Sequence, residues 1–217
     1  SVYDNKKSVT IVEIMGRHAG WLTAASALAR KFEHDNPVLI YLPETDFDQD
    51  AFIEKVRTSL ETTPNLVVCI SEGIHDNTST FICEYSNDVG TDTFGHKMLT
   101  GSGKYLENLV KERLGVKVRS VELNVCQRCS SSMLSKKTDQ KEAIASGAYG
   151  VKAALNGASG KMVAFERLDG DDYQIDYVLK DVNVICNQEK CVPATWITAD
   201  GSDVTEDFIR YARPLIQ

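Results

Sequence analysis

Short apolar stretches alternate along this chain with segments of helical periodicity. The segment SVTIVEI (8–14) has the β-branched pattern of a strand, and WLTAASALA (21–29) then supplies strong helix formers. A strand at VLIYLPE (38–44) and a helix at AFIEKVRTSLE (51–61) follow, and the apolar run LVVCISEG (66–73) is typical of a strand buried on both faces. This alternation predicts an α/β fold with a parallel sheet and right-handed crossovers.

The second half of the chain continues the alternation. It predicts strands at 117–125 and 162–168 and helices at 141–157, at 204–212 and at 105–115, where Gly115 ends the helix. Ser202 or Asp203 is expected to cap the last helix, and Pro214 to prevent its continuation. Residues 77–103 are rich in Asn, Thr, Ser, Asp and Gly and have no sustained period, so we expect a loop-rich insertion within one domain that covers residues 1–217.

Polar motifs follow two of the predicted strands. The turn Met15-Gly16-Arg17-His18-Ala19-Gly20 follows the first strand, and Ser71-Glu72-Gly73 closes the buried one. Ligands of parallel sheets gather at the carboxyl ends of the strands, so we expect both motifs to line one site. Arg17 offers a planar cation suited to phosphate, beside a helix N-terminus. These residues favour a phosphorylated small molecule, and the alternative is a plain strand-to-helix connection with a solvated arginine.

Composition and charge narrow the function classes. The net charge of −7 argues against a nucleic-acid-binding surface. No apolar run reaches membrane-spanning length, and the start SVYDNKK lacks the pattern of a signal peptide. We therefore expect a cytoplasmic protein that binds neither nucleic acid nor membrane.

The six cysteines allow two interpretations. Cys69 lies in the apolar run LVVCI and is predicted to be a buried small hydrophobe. Cys126 with Cys129, and Cys186 with Cys191, could supply four zinc ligands, which would make this a zinc-stabilised interaction protein. The long separation of the two pairs is unusual for zinc, so reduced thiols are favoured and no metal ligand is assigned.

Four segments resemble the 6-phosphofructokinases. VEIMGRHAGWLTAASALA (12–29) is similar to their sugar-phosphate-binding segment, and the similarity extends to LVVCISEGI (66–74), VRSVELNVCQRC (118–129) and GVKAALNGASGKMVAF (150–165). The resemblance, which runs from residue 1 to about residue 168, implies the Rossmann-like C-terminal domain of that family. This domain has a parallel sheet with helices on both faces and binds the sugar phosphate.

The resemblance implies roles for the residues of the first two motifs. Met15 and Gly16 would shape the wall of a fructose 6-phosphate pocket. Arg17 would bind the sugar phosphate and stabilise charge near the transferring group, which makes it the implied catalytic residue. Glu72 falls on a glutamate that accepts hydrogen bonds from sugar hydroxyls.

Three further substrate-binding residues follow from the segment at 118–129. Gln127 and Arg128 match the Gln-Arg turn of the family, where the arginine binds phosphate. Arg119 matches an arginine that reaches into the neighbouring subunit's site in tetrameric relatives, which implies a homo-oligomer, either a dimer or a tetramer. Bacterial ATP-using members carry other residues at Ser8, at Val125 and in place of Cys129-Ser130, so the contact between subunits is left open.

The resemblance also implies a reaction. Residues 124–129 and FGHKMLTGSGKYL (94–106) are most similar to the pyrophosphate-dependent branch, which transfers a phosphoryl group to the 1-hydroxyl of fructose 6-phosphate in glycolysis and gives fructose 1,6-bisphosphate. An ATP-dependent enzyme and a non-catalytic sugar-phosphate-binding module are the alternatives.

The donor machinery of that family lies upstream of the Met-Gly-Arg motif. It comprises a glycine-rich loop, a general-base aspartate and a magnesium-binding carboxylate, and none of these motifs occurs in this sequence. We therefore expect the chain to be the C-terminal part of an enzyme, without the N-terminal donor-binding domain that holds most of the magnesium contacts. By itself the chain is expected to be inactive, because phosphoryl transfer requires donor and acceptor to be positioned together.

Overall fold

A parallel sheet forms the centre of the larger part of the molecule. The computed structural model describes residues 6–32, 35–86, 101–123, 126–127, 137–168, 170 and 172–216. Within these residues the main sheet has the strand order β2-β3-β1-β4 and all neighbours are parallel. Its strands are β1 (Ser8–Ile14), β2 (Leu39–Tyr41), β3 (Asn65–Ser71) and β4 (Lys117–Glu122). The α/β fold with a parallel sheet is confirmed.

Helices connect the strands, and an antiparallel hairpin follows them. The α-helices are α1 (Trp21–Ala25), α2 (Gln49–Thr62), α3 (Ser102–Leu114), α4 (Lys137–Leu155), α5 (Val182–Ile185) and α6 (Glu206–Ile216). Short 3-10 helices span Ser26–Ala29, Ile82–Tyr85 and Ala194–Trp196. The hairpin consists of β5 (Lys161–Arg167) and β6 (Ile175–Asp181). Among the described helices, none has the length and hydrophobicity needed to cross a bilayer.

Both faces of the main sheet are covered, as the resemblance implies. Leu66, Val68 and Ile70 of β3 join a buried cluster that includes Phe52 of α2 and Leu106 of α3. The intervening side chains pack into a second cluster, to which α1 and α6 contribute Ala24, Phe208 and Ala212. The period of two along β3 therefore buries both of its faces, which explains the unbroken apolar run in the sequence.

Three of the helix boundaries test the sequence predictions. Gly115 ends α3 in the left-handed conformation with φ 65°, as predicted. The predicted first helix continues as a 3-10 helix from Ser26 to Ala29, after a short α-helix. The prediction for the last helix was wrong at both ends, because α6 begins at Glu206, after Ser202 and Asp203, and contains Pro214. Asp203 instead accepts two hydrogen bonds of 2.9 Å from the guanidinium of Arg30.

The chain divides into two compact units. The first comprises Ser1–Gln127 and Lys190–Arg213 and contains the main sheet. The second comprises Arg128–Glu189 and Pro214–Gln217 and contains α4, α5 and the hairpin. Along α4, which is described over its whole length, no side chain is buried. In the segment predicted as a loop-rich insertion, Ile82 and Cys83 are buried, and residues 87–100 lie outside the described residues.

Candidate functional site

The Met15–Gly20 turn and Glu72 meet at the carboxyl ends of two neighbouring strands. The backbone N–H of Glu72 donates to the carbonyl of Ile14, the last residue of β1, over 2.9 Å. The N–H of Gly16 donates to Oε1 of Glu72 over 3.3 Å, and the hydroxyl of Ser71 donates to the carbonyl of Gly16. Parallel pairing of β1 with β3 therefore brings together two motifs that are 56 residues apart in the sequence.

Gln127 joins this group from the segment that follows β4. Its Oε1 accepts a hydrogen bond of 2.8 Å from the backbone N–H of Met15. Since β4 pairs with β1 on the side opposite to β3, residues from three adjacent strand ends meet at the Met15–Gly20 turn. The next residue, Arg128, lies outside the described residues.

Arg17 is exposed beside this cluster. Its guanidinium makes no ion pair with another described residue, so it is accessible to a ligand. The backbone of Arg17 lies against Gly73, where an added Cβ would come within 1.8 Å of the Arg17 carbonyl oxygen. The close approach fixes the position of Arg17 relative to Glu72 and requires glycine at position 73.

Arg119 lies apart from the other predicted residues. It is an exposed residue of β4, paired in register with Thr10 of β1. Met15, directly after β1, is five residues beyond Thr10, which corresponds to about 16 Å at 3.3 Å per residue. Within one chain, therefore, Arg119 does not adjoin the Met15–Gly20 turn.

Glu13 is a buried acid next to this site that the sequence analysis did not single out. Its side chain is 4% exposed and accepts hydrogen bonds from the N–H groups of Gly103, over 2.6 Å, and Gly101, over 3.3 Å. Burial raises the pKa of Glu13 to about 7, aided by the negative charges of Glu122 and Glu72 and opposed by the amide hydrogen bonds. The sequence feature that could have identified Glu13 is the single carboxylate within the otherwise apolar end of the strand SVTIVEI.

Glu44 is a second acid that only the structure identifies. Its Oε1 accepts hydrogen bonds from the N–H of Gly20, over 2.9 Å, and from the N–H of Val192, over 2.8 Å. Nearby, the indole of Trp21 donates to the carbonyl of Lys190 over 2.6 Å. The end of the Met15–Gly20 turn is thus attached to a segment that lies far away in the sequence.

The cysteines give no positive indication of a metal centre. Within the described ranges, no three His, Cys, Asp or Glu side chains are grouped so as to hold a metal ion. Cys69 is buried, as predicted, and Cys126, Cys186 and Cys191 are exposed. Cys129, the remaining member of the proposed zinc set, lies outside the described residues.

Comparison with known proteins identifies the family. The family model described as Phosphofructokinase matches residues 3–154, which is most of the chain. The chain belongs to the phosphofructokinase family. The motif that follows β1, the Glu72 motif and the Gln-Arg turn all lie within the matched range, so the resemblance stated from the sequence is confirmed.

Individual phosphofructokinases match nearly the whole chain. The pyrophosphate–fructose 6-phosphate 1-phosphotransferase of Xanthomonas campestris pv. campestris is 39% identical over 214 residues, or 99% of this chain and 50% of the relative. The enzyme of the same name from Halomonas elongata is 37% identical over 209 residues, 96% of this chain and 49% of that protein. The chain therefore spans about half the length of the curated relatives it matches.

A solved phosphofructokinase has the same fold. The crystal structure of the pyrophosphate-dependent phosphofructokinase from Marinobacter aquaeolei superposes with a TM-score of 0.81 at 30% sequence identity. The similarity covers 97% of this chain and 48% of that protein. As in the sequence comparison, this phosphofructokinase chain corresponds to about half of its relative.

Proposed function

We propose that this chain binds fructose 6-phosphate and supplies the sugar-phosphate side of a pyrophosphate-dependent phosphofructokinase. The reaction is transfer of a phosphoryl group from pyrophosphate to the 1-hydroxyl of the sugar, which gives fructose 1,6-bisphosphate and releases inorganic phosphate and the hydroxyl proton. The names of the similar proteins from Xanthomonas and Halomonas support this substrate and donor. The observation that carries the proposal is the hydrogen-bonded group formed by Met15, Gly16, Glu72 and Gln127.

The chemistry of this group suits a phosphorylated sugar. The carboxylate of Glu72 can accept hydrogen bonds from sugar hydroxyls, and the exposed guanidinium of Arg17 can donate paired hydrogen bonds to phosphoryl oxygens. Arg128, directly after Gln127 in the sequence, supplies the second cation of the proposed pocket. Arg119 acts on a pocket other than that of its own chain, since about 16 Å along β1 separates the two.

Magnesium and the donor are assigned to the part of the longer relatives that this chain does not match. Among the described residues there is no group of three metal-binding side chains. Donor and acceptor must be held together for phosphoryl transfer. We accordingly expect the 217-residue chain to bind the sugar phosphate without turning it over.

Calorimetric titration of the 217-residue chain with fructose 6-phosphate, fructose and inorganic phosphate tests the proposal. We expect the sugar phosphate to bind more tightly than either component. Glu72→Gln should weaken binding by roughly tenfold or more, because a hydrogen bond to a charged group is worth about 1.5–3 kcal/mol. Arg17→Ala should weaken the binding of fructose 6-phosphate but not that of fructose.

Glu112→Gln is the matched control for Glu72→Gln, because Glu112 is an exposed glutamate on α3. It should leave the dissociation constant unchanged. Failure of fructose 6-phosphate to bind, or equal effects of the two glutamate substitutions, would refute the proposed site. Product formation by the isolated chain with magnesium and either pyrophosphate or ATP would refute the assignment of the donor machinery to another part of the enzyme.

A further inference from the structure

Glu13, a residue of β1, caps the N-terminus of helix α3. Helix α3 begins after Gly101, which has no side chain to accept a hydrogen bond from the first turn, and that turn contains no acidic residue. The first N–H groups of a helix have no partners within the helix and carry a partial positive charge. The carboxylate of Glu13, on β1, accepts from two of the backbone N–H groups at this end, those of Gly101 and Gly103.

The same turn of α3 contacts Glu72. Ser102 lies between the two glycines, is completely buried, and donates its hydroxyl hydrogen to the backbone carbonyl of Glu72 over 3.3 Å. Glu72 in turn accepts from Gly16 through its carboxylate. Hydrogen bonds and one helical turn therefore connect the Glu13 carboxylate to the backbone of Glu72, the proposed sugar-binding residue.

The surroundings of Glu13 disfavour its charge. In the described part of the chain, the titratable groups that face it are Glu72, Glu122 of β4 and the thiol of Cys83. Burial, and then the charge of Glu13, raise the pKa of the Cys83 thiol to about 11, so this thiol is neutral near pH 7. Glu13 itself, with a pKa of about 7, changes its charge within the physiological range.

We propose that Glu13 is a positioning residue that couples the protonation of a buried carboxyl group to the affinity of the sugar-phosphate site. Ionised Glu13 holds the first turn of α3, and Ser102 on that turn holds Glu72 in its binding position. Protonation leaves the buried carboxyl group with its carbonyl oxygen as the one strong acceptor for two α3 amides and removes its charge, so the turn and Glu72 are then less firmly placed. This inference rests on the proposed function, since Glu72 is its point of contact with the ligand.

The sign of the pH dependence follows from this arrangement. The binding-competent form has ionised Glu13, so affinity should be high at pH 8 and fall as the pH decreases through 7. With a pKa of about 7, the ionised fraction falls by about tenfold between pH 8 and pH 6. If only that form binds, the dissociation constant rises by up to about tenfold over the same interval.

The experiment compares the pH profiles of fructose 6-phosphate binding for the wild-type chain and Glu13→Gln. The phosphate of the ligand has its own pKa of about 6, so the informative quantity is the difference between the two profiles. We expect the substituted chain to lack the Glu13 component and to bind weakly at pH 8. A merely structural role would lower the melting temperature of Glu13→Gln and leave the slope of its profile like that of the wild type.

Two further variants distinguish the titration of Glu13 from its effect on fructose 6-phosphate binding. Ser102→Ala should leave Glu13 titrating near pH 7, as measured by carbon-13 NMR of the carboxyl group, while its binding profile follows that of Glu13→Gln. Glu122→Gln removes one of the negative charges that face Glu13, so the loss of affinity should begin at a lower pH with affinity at pH 8 unchanged.

A ligand-free measurement distinguishes failure of the inference from failure of the proposed function. Amide hydrogen exchange in the first turn of α3, corrected for intrinsic rates, should lose protection from pH 8 to pH 6 in the wild type but not in Glu13→Gln. If fructose 6-phosphate does not bind at any pH, the proposed function fails and so does the coupling to ligand, while the exchange data still decide whether Glu13 holds α3. Parallel binding profiles with a normally titrating Glu13 would overturn the inference.

Discussion

At the scale of single residues, the geometry of the Met15–Gly20 turn depends on two glycines. Gly16 has φ 153°, and a Cβ there would lie 2.7 Å from the carbonyl oxygen of Ala19 and 2.8 Å from Oγ of Ser71. At Gly73 the obstacle would be backbone, the carbonyl of Arg17 at 1.8 Å. The nearest obstacle is a backbone carbonyl at both positions, and position 73 is the stricter of the two because its contact would be 1.8 Å rather than 2.7 Å.

Gly73→Ala should therefore displace Arg17 from Glu72. We expect the free energy of unfolding to fall by about 1–3 kcal/mol, the usual cost of overpacking, and fructose 6-phosphate binding to weaken strongly. Urea denaturation and calorimetric titration measure the two effects.

Gly147→Ala is the matched control, because Gly147 lies within α4 and an added Cβ there meets nothing within 4 Å. It should stabilise the helix by roughly 0.5–1 kcal/mol and leave binding unchanged. If Gly73→Ala were as well tolerated as this control, the close packing of the Arg17 backbone against position 73 would be incorrect.

At the scale of elements, Glu44 determines how the segment around Val192 is attached to the start of α1. Gly20 and Val192 are both buried, and their N–H groups share Oε1 of Glu44 as acceptor. Cys191, between Lys190 and Val192, donates its thiol hydrogen to the carbonyl of His18 over 3.4 Å. These contacts hold the later part of the Met15–Gly20 turn, at His18 and Gly20, whereas Glu72 contacts its beginning at Gly16.

Glu44→Ala should remove the shared acceptor. Each buried N–H left without a partner costs about 1–3 kcal/mol, so for the two N–H groups we expect a loss of about 2–6 kcal/mol in the free energy of unfolding. Thermal and urea denaturation, followed by tryptophan fluorescence, provide the measurement, since Trp21 and Trp196 pack edge to face with ring centroids 6.2 Å apart in this region.

The control for this prediction is Glu61→Ala, which truncates an exposed glutamate near the end of α2. A surface change of this kind should stay within about 0.5 kcal/mol of the wild type. Equal stabilities of the two variants would show that the Glu44 carboxylate does not anchor Val192 to Gly20.

At the scale of the whole molecule, burial differs sharply between the two compact units. The first unit contains both clusters of buried apolar side chains that cover the main sheet. In the second unit, α4 has no buried residue, and Ile144, Val151 and Leu155 are between 63% and 82% exposed. Local opening is easier where few apolar contacts must be broken.

Hydrogen exchange of the 217-residue chain should reveal this difference. We expect the amides of β1 and β3 to exchange at least about tenfold more slowly than those of α4, after correction for intrinsic rates. Mass spectrometry of peptic fragments is sufficient to measure it. Equal protection of α4 and the central strands would mean that α4 is stabilised by contacts that its exposed side chains do not reveal.

The sequence by itself determined most of the strands and helices and indicated that the site lies at the carboxyl ends of the parallel strands. The alternating β-branched pattern predicted β1, and the unbroken apolar run predicted β3 as a strand buried on both faces. Helical periodicity with Gly115 as a stop predicted α3. These signals are all local. Parallel topology then placed the turn after β1 and Glu72 at the same sheet edge without any contact being known. Pro214 misled the prediction of α6, since burial of Phe208 and Ala212 favours the helix despite the missing N–H of proline.

Only the tertiary structure decided which partners Glu13 and Glu44 have. Glu13 meets an amide 90 residues away, and Glu44 meets one 148 residues away, through hydrogen bonds to backbone N–H groups. Every residue except proline carries such an N–H, so the sequence contains no pattern that marks these particular ones. The raised pKa of Glu13 likewise comes from desolvation and from Glu122 on another strand, and both arise only when the sheet has formed.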